Sequence, residues 1–429
     1  MSTAFFWLFI ALLALGTPVV FALLIGPGLS LVLDDQRQFF ATLLSRFYNG
    51  VDSFPLLAVP FFILAGELMN SGGITRSIVN FSQSLIGHVR GGLAQVNIVS
   101  SMLFAGISGS AVADASAIGK MLVPAMEQNG YKRSFAAAVT AAAAVMGPII
   151  PPSGIMVLYG FVMNVSIGAL FAAGVVPGVM IGLGLMLTTR ILATRNNLPV
   201  ASRRATWRER GQAFRKAALA LVMPLILLGG MLSGYFTATE AAAVAAGYAM
   251  IVAPFILRTV DFAEMRRIFV ATAMQSGVIL MLVGAAVTFA WLVTVSGMAE
   301  GIAGAMLTVS DDPTVLLFLV NLLLLLIGMF LDAGPAILIL GPVLAPIFVE
   351  IGVHPVHFAL VMCINLTLGL ATPPMGLVLF VTSSVSGVRI ESIVRAMLPF
   401  LAMEIFVLLL VTFFPPLTLA LPRALGLIQ

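Results

Sequence analysis

Gly147-Pro148-Ile149-Ile150-Pro151-Pro152-Ser153-Gly154 lies within an apolar stretch, and Gly369-Leu370-Ala371-Thr372-Pro373-Pro374-Met375-Gly376 lies within another. The two segments are 222 residues apart. Proline has no amide hydrogen and its ring collides with the preceding turn, so paired prolines break a helix and free backbone carbonyls. At membrane depth, freed carbonyls persist only where they are packed in protein or line a polar cavity. Two such breaks at matching places in two halves of a chain point to a transport site.

The surroundings of these breaks are those of a membrane protein. Of 429 residues, 61% are hydrophobic and 9% charged, and the mean hydropathy is +1.13. A soluble domain carries about 25% charge. Apolar runs long enough to cross a bilayer recur along the chain. Residues 4–33 form the first, and with no basic segment ahead of it they read as a retained span rather than a cleaved signal. The single cysteine, Cys363, excludes an internal disulfide and reads as a buried apolar residue. The net charge of +4 sits between spans, as orientation signals do, and does not indicate nucleic-acid binding.

The most basic segment is 195–216, with Arg195, Arg203, Arg204, Arg208, Arg210, Arg215 and Lys216 against Glu209. The positive-inside rule makes it a cytoplasmic linker. Counting from it, 217–234 leads out, 239–257 returns to Arg258, Arg266 and Arg267, and 272–297 leads out to Glu300, Asp311 and Asp312. Residues 313–351 flank Asp332, 355–386 cross to Arg389 and Arg395, and a last span at 397–414 leaves the C-terminus periplasmic. In the first half 4–33 lead out and 54–74 return to Arg76 and Arg90, which makes the N-terminus cytoplasmic. Residues 91–131 begin and end on basic residues around the small, polar centre Gly106 to Ser110. Two spans with an outer loop or a re-entrant helical hairpin both fit these charges. The hairpin is favoured, because the tip is too small and apolar for an exposed loop.

A shift of 222 residues superposes Gly106 on Gly328, Gly119 on Gly341, Pro124 on Pro346, Gly130 on Gly352 and Gly147 on Gly369. It also superposes Pro151-Pro152 on Pro373-Pro374, Gly154 on Gly376, and Ser110 on Asp332. The charge count places Lys132 inside and His354 outside, so the repeats are inverted. The expected fold is an all-α polytopic membrane protein of two inverted repeats, each a re-entrant hairpin followed by a broken helix. Its division is 1–90 scaffold, 91–165 first hairpin and broken helix, 166–194 scaffold helix and 195–216 linker. Then follow 217–312 scaffold, 313–386 second hairpin and broken helix, and 387–429 C-terminal scaffold.

The polar residues of hairpins and breaks are Ser108, Ser110, Asp114 and Ser153 in one copy, and Asp332, Asn365, Thr367 and Thr372 in the other. Hydroxyl, amide and carbonyl oxygens are hard ligands that suit Na⁺. A carboxyl at membrane depth is costly, which makes Asp114 and Asp332 functional candidates. Each polar residue also has a plainer role. The serines and threonines can back-bond to the preceding turn, and Asp332 can cap a helix. Ser153, Asn365 and Thr367 are the candidates for substrate contact. Pro151, Pro152, Pro373 and Pro374 hold the breaks open and are not ligands. Glu67 reads as an interface residue and Glu240 as the first-turn acid of a helix. Gly106-Ile107-Ser108-Gly109 also matches the G-x-S-G pattern of intramembrane serine proteases. His88, His354 and His357 all fall at membrane edges, away from Ser108, so that reading lacks a base.

Pro60 to Met69, Gly106 to Asp114, Gly147 to Gly154 and Gly369 to Gly376 resemble the large membrane subunit of tripartite ATP-independent periplasmic (TRAP) transporters. The resemblance covers essentially the whole chain. It implies a Na⁺-coupled, elevator-type importer in a bacterial or archaeal inner membrane, with two or more ions. It implies two partners, a small four-helix membrane subunit on a separate polypeptide and a periplasmic substrate-binding protein. The implied substrates are organic acid anions such as C4-dicarboxylates, sialic acids and sugar acids. One Na⁺ site would use Ser108 and the first tip, with Gly147, Ile150 and Asp114 in support. The other would use the second tip, with Asp332 and Gly334, together with Gly369, Thr372 and Met375. A stand-alone Na⁺/dicarboxylate symporter of the same architecture is the alternative.

Overall fold

The computed structural model describes residues 3–195, 198–199, 203–310 and 312–428, without the side chains of residues 299, 300, 303, 306, 307 and 309. The first half holds α1 (Ala4–Ala14), α2 (Val19–Leu33), α3 (Phe40–Val51), α4 (Ala58–Ser71) and α5 (Ile74–Ile86). It continues with α6 (Gly92–Ser108), α7 (Ala111–Gln128), α8 (Arg133–Ala144), α9 (Gly154–Val162) and α10 (Ile167–Arg195). The second half holds α11 (Trp207–Leu232), α12 (Ala238–Ile251), α13 (Phe262–Val295), α14 (Met298–Val309) and α15 (Pro313–Gly328). After these come α16 (Ala333–Glu350), α17 (Pro355–Gly369), α18 (Leu377–Ser386), α19 (Ile390–Phe413) and α20 (Pro416–Ala424). No strand occurs among the described residues, and seven of their helical segments are long and apolar enough to cross a membrane.

The 222-residue spacing is carried into the elements. α7 and α16 start and end 222 residues apart, and α8 and α17 start 222 apart. Gly130 and Gly352, which end the α7 and α16 arms, have φ of +85° and +92°, where a side chain would be strained. The copies also cross-pack in matched fashion, α18 against α7 and α9 against α16. A methyl group on Gly119 of α7 would sit 3.3 Å from Val385 of α18, and one on Gly341 of α16 3.5 Å from Met163 just after α9. All four residues obey the same shift.

Residues 4–33 are not the single span expected. Gly16 has φ +82° and Pro18 follows, so the chain turns there and α2 packs on α1. Gly26 permits the approach: a methyl group there would lie 3.0 Å from the Phe5 carbonyl oxygen. Phe5 and Phe9 are buried, with ring centroids 5.3 and 5.2 Å from Phe289 of α13. At ~1.5 Å per residue, α1 and α2 reach about 16 and about 22 Å, short of a hydrocarbon core of roughly 30 Å. The first outward crossing, on which the cytoplasmic N-terminus rested, is thus replaced by a hairpin. The basic linker is also shorter than 195–216, because Arg208, Arg210, Arg215 and Lys216 belong to α11. Of the acidic outer patch, Asp311 and the side chain of Glu300 lie outside the described residues, and Asp312 caps α15.

Packing sorts the helices into two sets. α1 to α5 and α11 to α13 pair mainly with one another, as in α4 on α12 and α3 on α13. The hairpins and broken helices pack together and take α10 and α19 with them. α10 lies against α6, α9 and α17, and α19 against α8, α17 and α18. The segments 166–194 and 387–429, read from sequence as scaffold, thus lie directly against the hairpins and broken helices. The cause is a stripe of small residues on α10 at a spacing of four. Methyl groups on Gly174, Gly178 and Gly182 would sit 2.6 Å from the Ile149 carbonyl oxygen, 2.4 Å from the Ile150 side chain and 2.4 Å from the Met102 sulfur.

Candidate functional site

Both breaks are built alike. After α8, the amides of Val145, Met146 and Gly147 reach back three residues to Ala142, Ala143 and Ala144. After α17, Leu370, Ala371 and Thr372 do the same to Thr367, Leu368 and Gly369. Each tightened turn runs into a cis Pro-Pro bond, Pro151-Pro152 or Pro373-Pro374. Pro151 supplies no amide to the Gly147 carbonyl, which leaves it without the donor a continuing helix would provide. The copies then diverge. Ser153 caps α9: its hydroxyl donates to the Pro148 carbonyl (2.5 Å) and accepts from the Met156 amide (3.4 Å). Met375, its counterpart, has no such oxygen and is half exposed. Gly376 enters α18 instead, at φ +51°, with its amide on the Met329 carbonyl (3.1 Å).

In the first copy, hairpin tip and break meet. Gly109 and Ser110 are the whole connection between α6 and α7, with Gly109 at φ +60°. The Ser110 hydroxyl accepts from the Ala113 amide (3.4 Å) and so caps α7. The Ser108 hydroxyl donates to Asp114 Oδ1 and accepts from the Ser110 amide. Asp114 is buried, and its other oxygen, Oδ2, has no hydrogen-bond partner. A methyl group on Gly147 would lie 2.7 Å from that oxygen and 3.0 Å from the Ala111 amide nitrogen. One on Gly109 would lie 2.8 Å from the Pro152 carbonyl oxygen. Ser108, Ser110, Asp114 and Gly147 therefore form one constellation beside Ser153, with an unpaired carboxyl oxygen facing the break. Gly66 of α4 passes the same tip, where a methyl group on it would lie 3.4 Å from the Ile107 carbonyl oxygen, and half-buried Glu67 follows it.

The second copy closes by backbone contact. A methyl group on Gly369 would sit 2.4 Å from the Gly328 carbonyl carbon, so tip and break touch through two glycines. Asp332 is exposed, and its Oδ1 accepts from the Ala333 amide (2.8 Å), the capping role foreseen for it. A methyl group on Gly334 would lie 3.8 Å from the Leu158 side chain of α9, and the buried Thr372 hydroxyl donates to the Leu368 carbonyl (2.8 Å). Ile150 is used for packing, its side chain lying on Gly178.

Asn365 and Thr367 are not brought to the tips. Asn365 is fully buried and donates to Asn321 of α15 (2.5 Å), which in turn donates to Thr412 of α19 (3.3 Å). Asn321 lies two helical turns from Gly328. The Thr367 hydroxyl donates to the Cys363 carbonyl (2.6 Å), the local back-bond open to any helical threonine. Glu240 forms a capping box with Thr237, as its position before an apolar run suggests. Glu404 was missed by sequence reading. It is fully buried in α19, and neither carboxyl oxygen has a partner. The available signal was a lone carboxyl inside the apolar run 397–414.

A seryl-protease arrangement is absent at Ser108, whose partner is a carboxyl. His357 holds Thr418 (2.8 Å) and the Thr412 carbonyl (3.1 Å) instead.

Residues 6–417 match the family model described as the tripartite ATP-independent periplasmic transporter, DctM component. The chain is 41% identical over 426 residues to the sialic acid TRAP transporter large permease protein SiaM of Vibrio cholerae, covering 98% of each. It is 40% identical over 408 residues to the 2,3-diketo-L-gulonate TRAP transporter large permease protein YiaN of Escherichia coli, covering 94% of this chain and 95% of that one. Among solved structures it resembles the Alcanivorax borkumensis YdaH transporter with a TM-score of 0.65 at 16% identity, over 89% of both chains. That likeness concerns the fold.

Proposed function

Because the chain belongs to the DctM component family of tripartite ATP-independent periplasmic transporters, we propose that it is a Na⁺-coupled importer subunit for an organic acid anion. It is a transporter component and not an enzyme. The relatives' names specify sialic acid and 2,3-diketo-L-gulonate, both of which bear a carboxylate. The anion is delivered by a periplasmic binding protein, and a small membrane subunit completes the assembly named as tripartite.

The observation that carries the ion coupling is the unpaired, buried Asp114 Oδ2 against Gly147. A buried carboxyl oxygen without a donor is costly, and a monovalent cation offsets that cost. Ser108, Asp114 and the Gly147 carbonyl region would hold one Na⁺. Gly369, Thr372 and the Asp332 tip would hold another with backbone oxygens. Pro151 and Pro373 offer no amide to the Gly147 and Gly369 carbonyls four residues back, and the Gly369 carbonyl keeps only the tighter bond from the Thr372 amide (3.0 Å). The positive ends of α7 and α16 open at the tips, where an anion is favoured. The two copies, inverted in the membrane, would then move as the mobile body of an elevator.

The test is uptake into proteoliposomes under a Na⁺ gradient, with labelled organic acids, the binding protein and the small subunit. Wild type is expected to transport only with all three proteins present, and Asp114→Ala and Ser108→Ala to lose Na⁺-dependent uptake while remaining folded. Wild-type rates in both variants would sink the site. Uptake without the binding protein would favour a stand-alone carrier.

A further inference from the structure

We propose that the cleft between α5 and α11 on the basic face is a binding site for the headgroup of an anionic phospholipid. The cleft has a volume of about 390 Å³, and its polar lining includes Asn80, Gln83, Arg203, Glu209, Gln212 and Lys216. Glu209 is already engaged. Its carboxyl takes the Thr206 amide (2.7 Å) and the Arg203 guanidinium (2.5 Å), and these contacts hold it below the usual carboxylate range. From Arg203 to Lys216, Glu209 is the sole acid against Arg203, Arg204, Arg208, Arg210, Arg215 and Lys216. Lys216 has no carboxylate partner among the described residues.

The position suits a lipid rather than a solute. α11 turns apolar directly after Lys216, so Lys216 marks the hydrocarbon boundary and the cleft lies at headgroup depth. Trp207 is 84% exposed at the start of α11, about two and a half turns further out than Lys216, with the Arg210 guanidinium stacked 5.1 Å from its ring centre. Exposed tryptophan and arginine together are the usual composition of a membrane–water interface. Phe81 and Phe214, with ring centroids 5.6 Å apart, fasten amphipathic α5 to α11 and fix the width of the cleft. A phosphodiester seated there meets Lys216 and Arg203 as charges and Asn80, Gln83 and Gln212 as amide donors. Basic residues just cytoplasmic of a span attract anionic lipid in this manner.

The experiment is quenching of Trp207 in full-length protein carrying Trp7→Phe and Trp291→Phe, in mixed micelles with brominated phosphatidylglycerol or brominated phosphatidylcholine. Phosphatidylglycerol is expected to quench at about tenfold lower mole fraction. In Arg203→Gln/Lys216→Gln this tenfold preference falls to near parity, because the two charges carry it, and Arg389→Gln leaves it unchanged. Equal quenching by the two lipids, or an undiminished preference in the double variant, would overturn the proposal. Displacement of phosphatidylglycerol by millimolar inorganic phosphate at fixed ionic strength would also overturn it, because the cleft would then be a free-anion site.

Discussion

Asp114 and Gly147 show how closely a single residue can be constrained by its partner. The distance from Asp114 Oδ2 to a methyl group on Gly147 would be 2.7 Å, well inside contact. Gly147→Ala, whose methyl group also meets the Ser110 backbone at 2.9 Å, is therefore expected to bind Na⁺ about 10–100-fold more weakly, the usual cost of displacing a neighbour that orients a ligand. The Na⁺ dependence of uptake reads this directly, and an unchanged half-saturation would place the ion elsewhere. Gly369→Ala has a different failure. Its methyl group meets backbone at 2.4 Å, so overpacking of about 1–3 kcal/mol should appear as a lower melting temperature in detergent. Gly334→Ala, whose nearest neighbour is the Leu158 side chain at 3.8 Å, should melt like wild type. The paired prolines and the tip polar residues were legible in the sequence because their chemistry is local. The partners of Asn365 and Thr367 were not legible for the opposite reason: Asn321 and the Cys363 carbonyl are chosen by packing and helix geometry. Glu404 was passed over as one residue of a span.

At the scale of elements, apolar-run lengths, basic ends and the paired prolines located α6–α7, α15–α16 and the breaks after α8 and α17. The N-terminal segment was misjudged because Gly16-Thr17-Pro18 interrupts a run that is apolar on both sides. Length alone reads such a run as one span. A hairpin of α1 and α2 puts Thr3 and Asp35 on the same side of the membrane. Single cysteines at these two positions should thus react alike with an impermeant maleimide in intact cells. Opposite accessibility would restore the single span. α3 and α5 were also overlooked, since each buries one stripe against the bundle and leaves polar residues such as Asn49 and Gln83 to the surface. Their signal was amphipathic periodicity, which a search for long apolar runs does not detect.

For the whole molecule, the 222-residue repeat carried the most information, because the same shift relates helix ends, positive-φ glycines and the crossing contacts of Gly119 and Gly341. Linear division carried the least. α10 and α19 follow their repeats in sequence but also pack against the hairpins, and on α10 the close approach runs through Gly174, Gly178 and Gly182. If α6 and α10 move as one body, a disulfide between Met102→Cys and Gly182→Cys should leave uptake intact. Loss of uptake on oxidation, regained on reduction, would return α10 to the fixed part. The two hairpin–break pairs, as separate ion sites, are what couple transport to Na⁺ in this proposal. Equilibrium binding of radioactive Na⁺ to purified protein tests this most directly. Wild type should bind at least two ions saturably, and Asp114→Ala should lose part of that binding and keep the rest. The same binding in both proteins, or none in wild type, would contradict it.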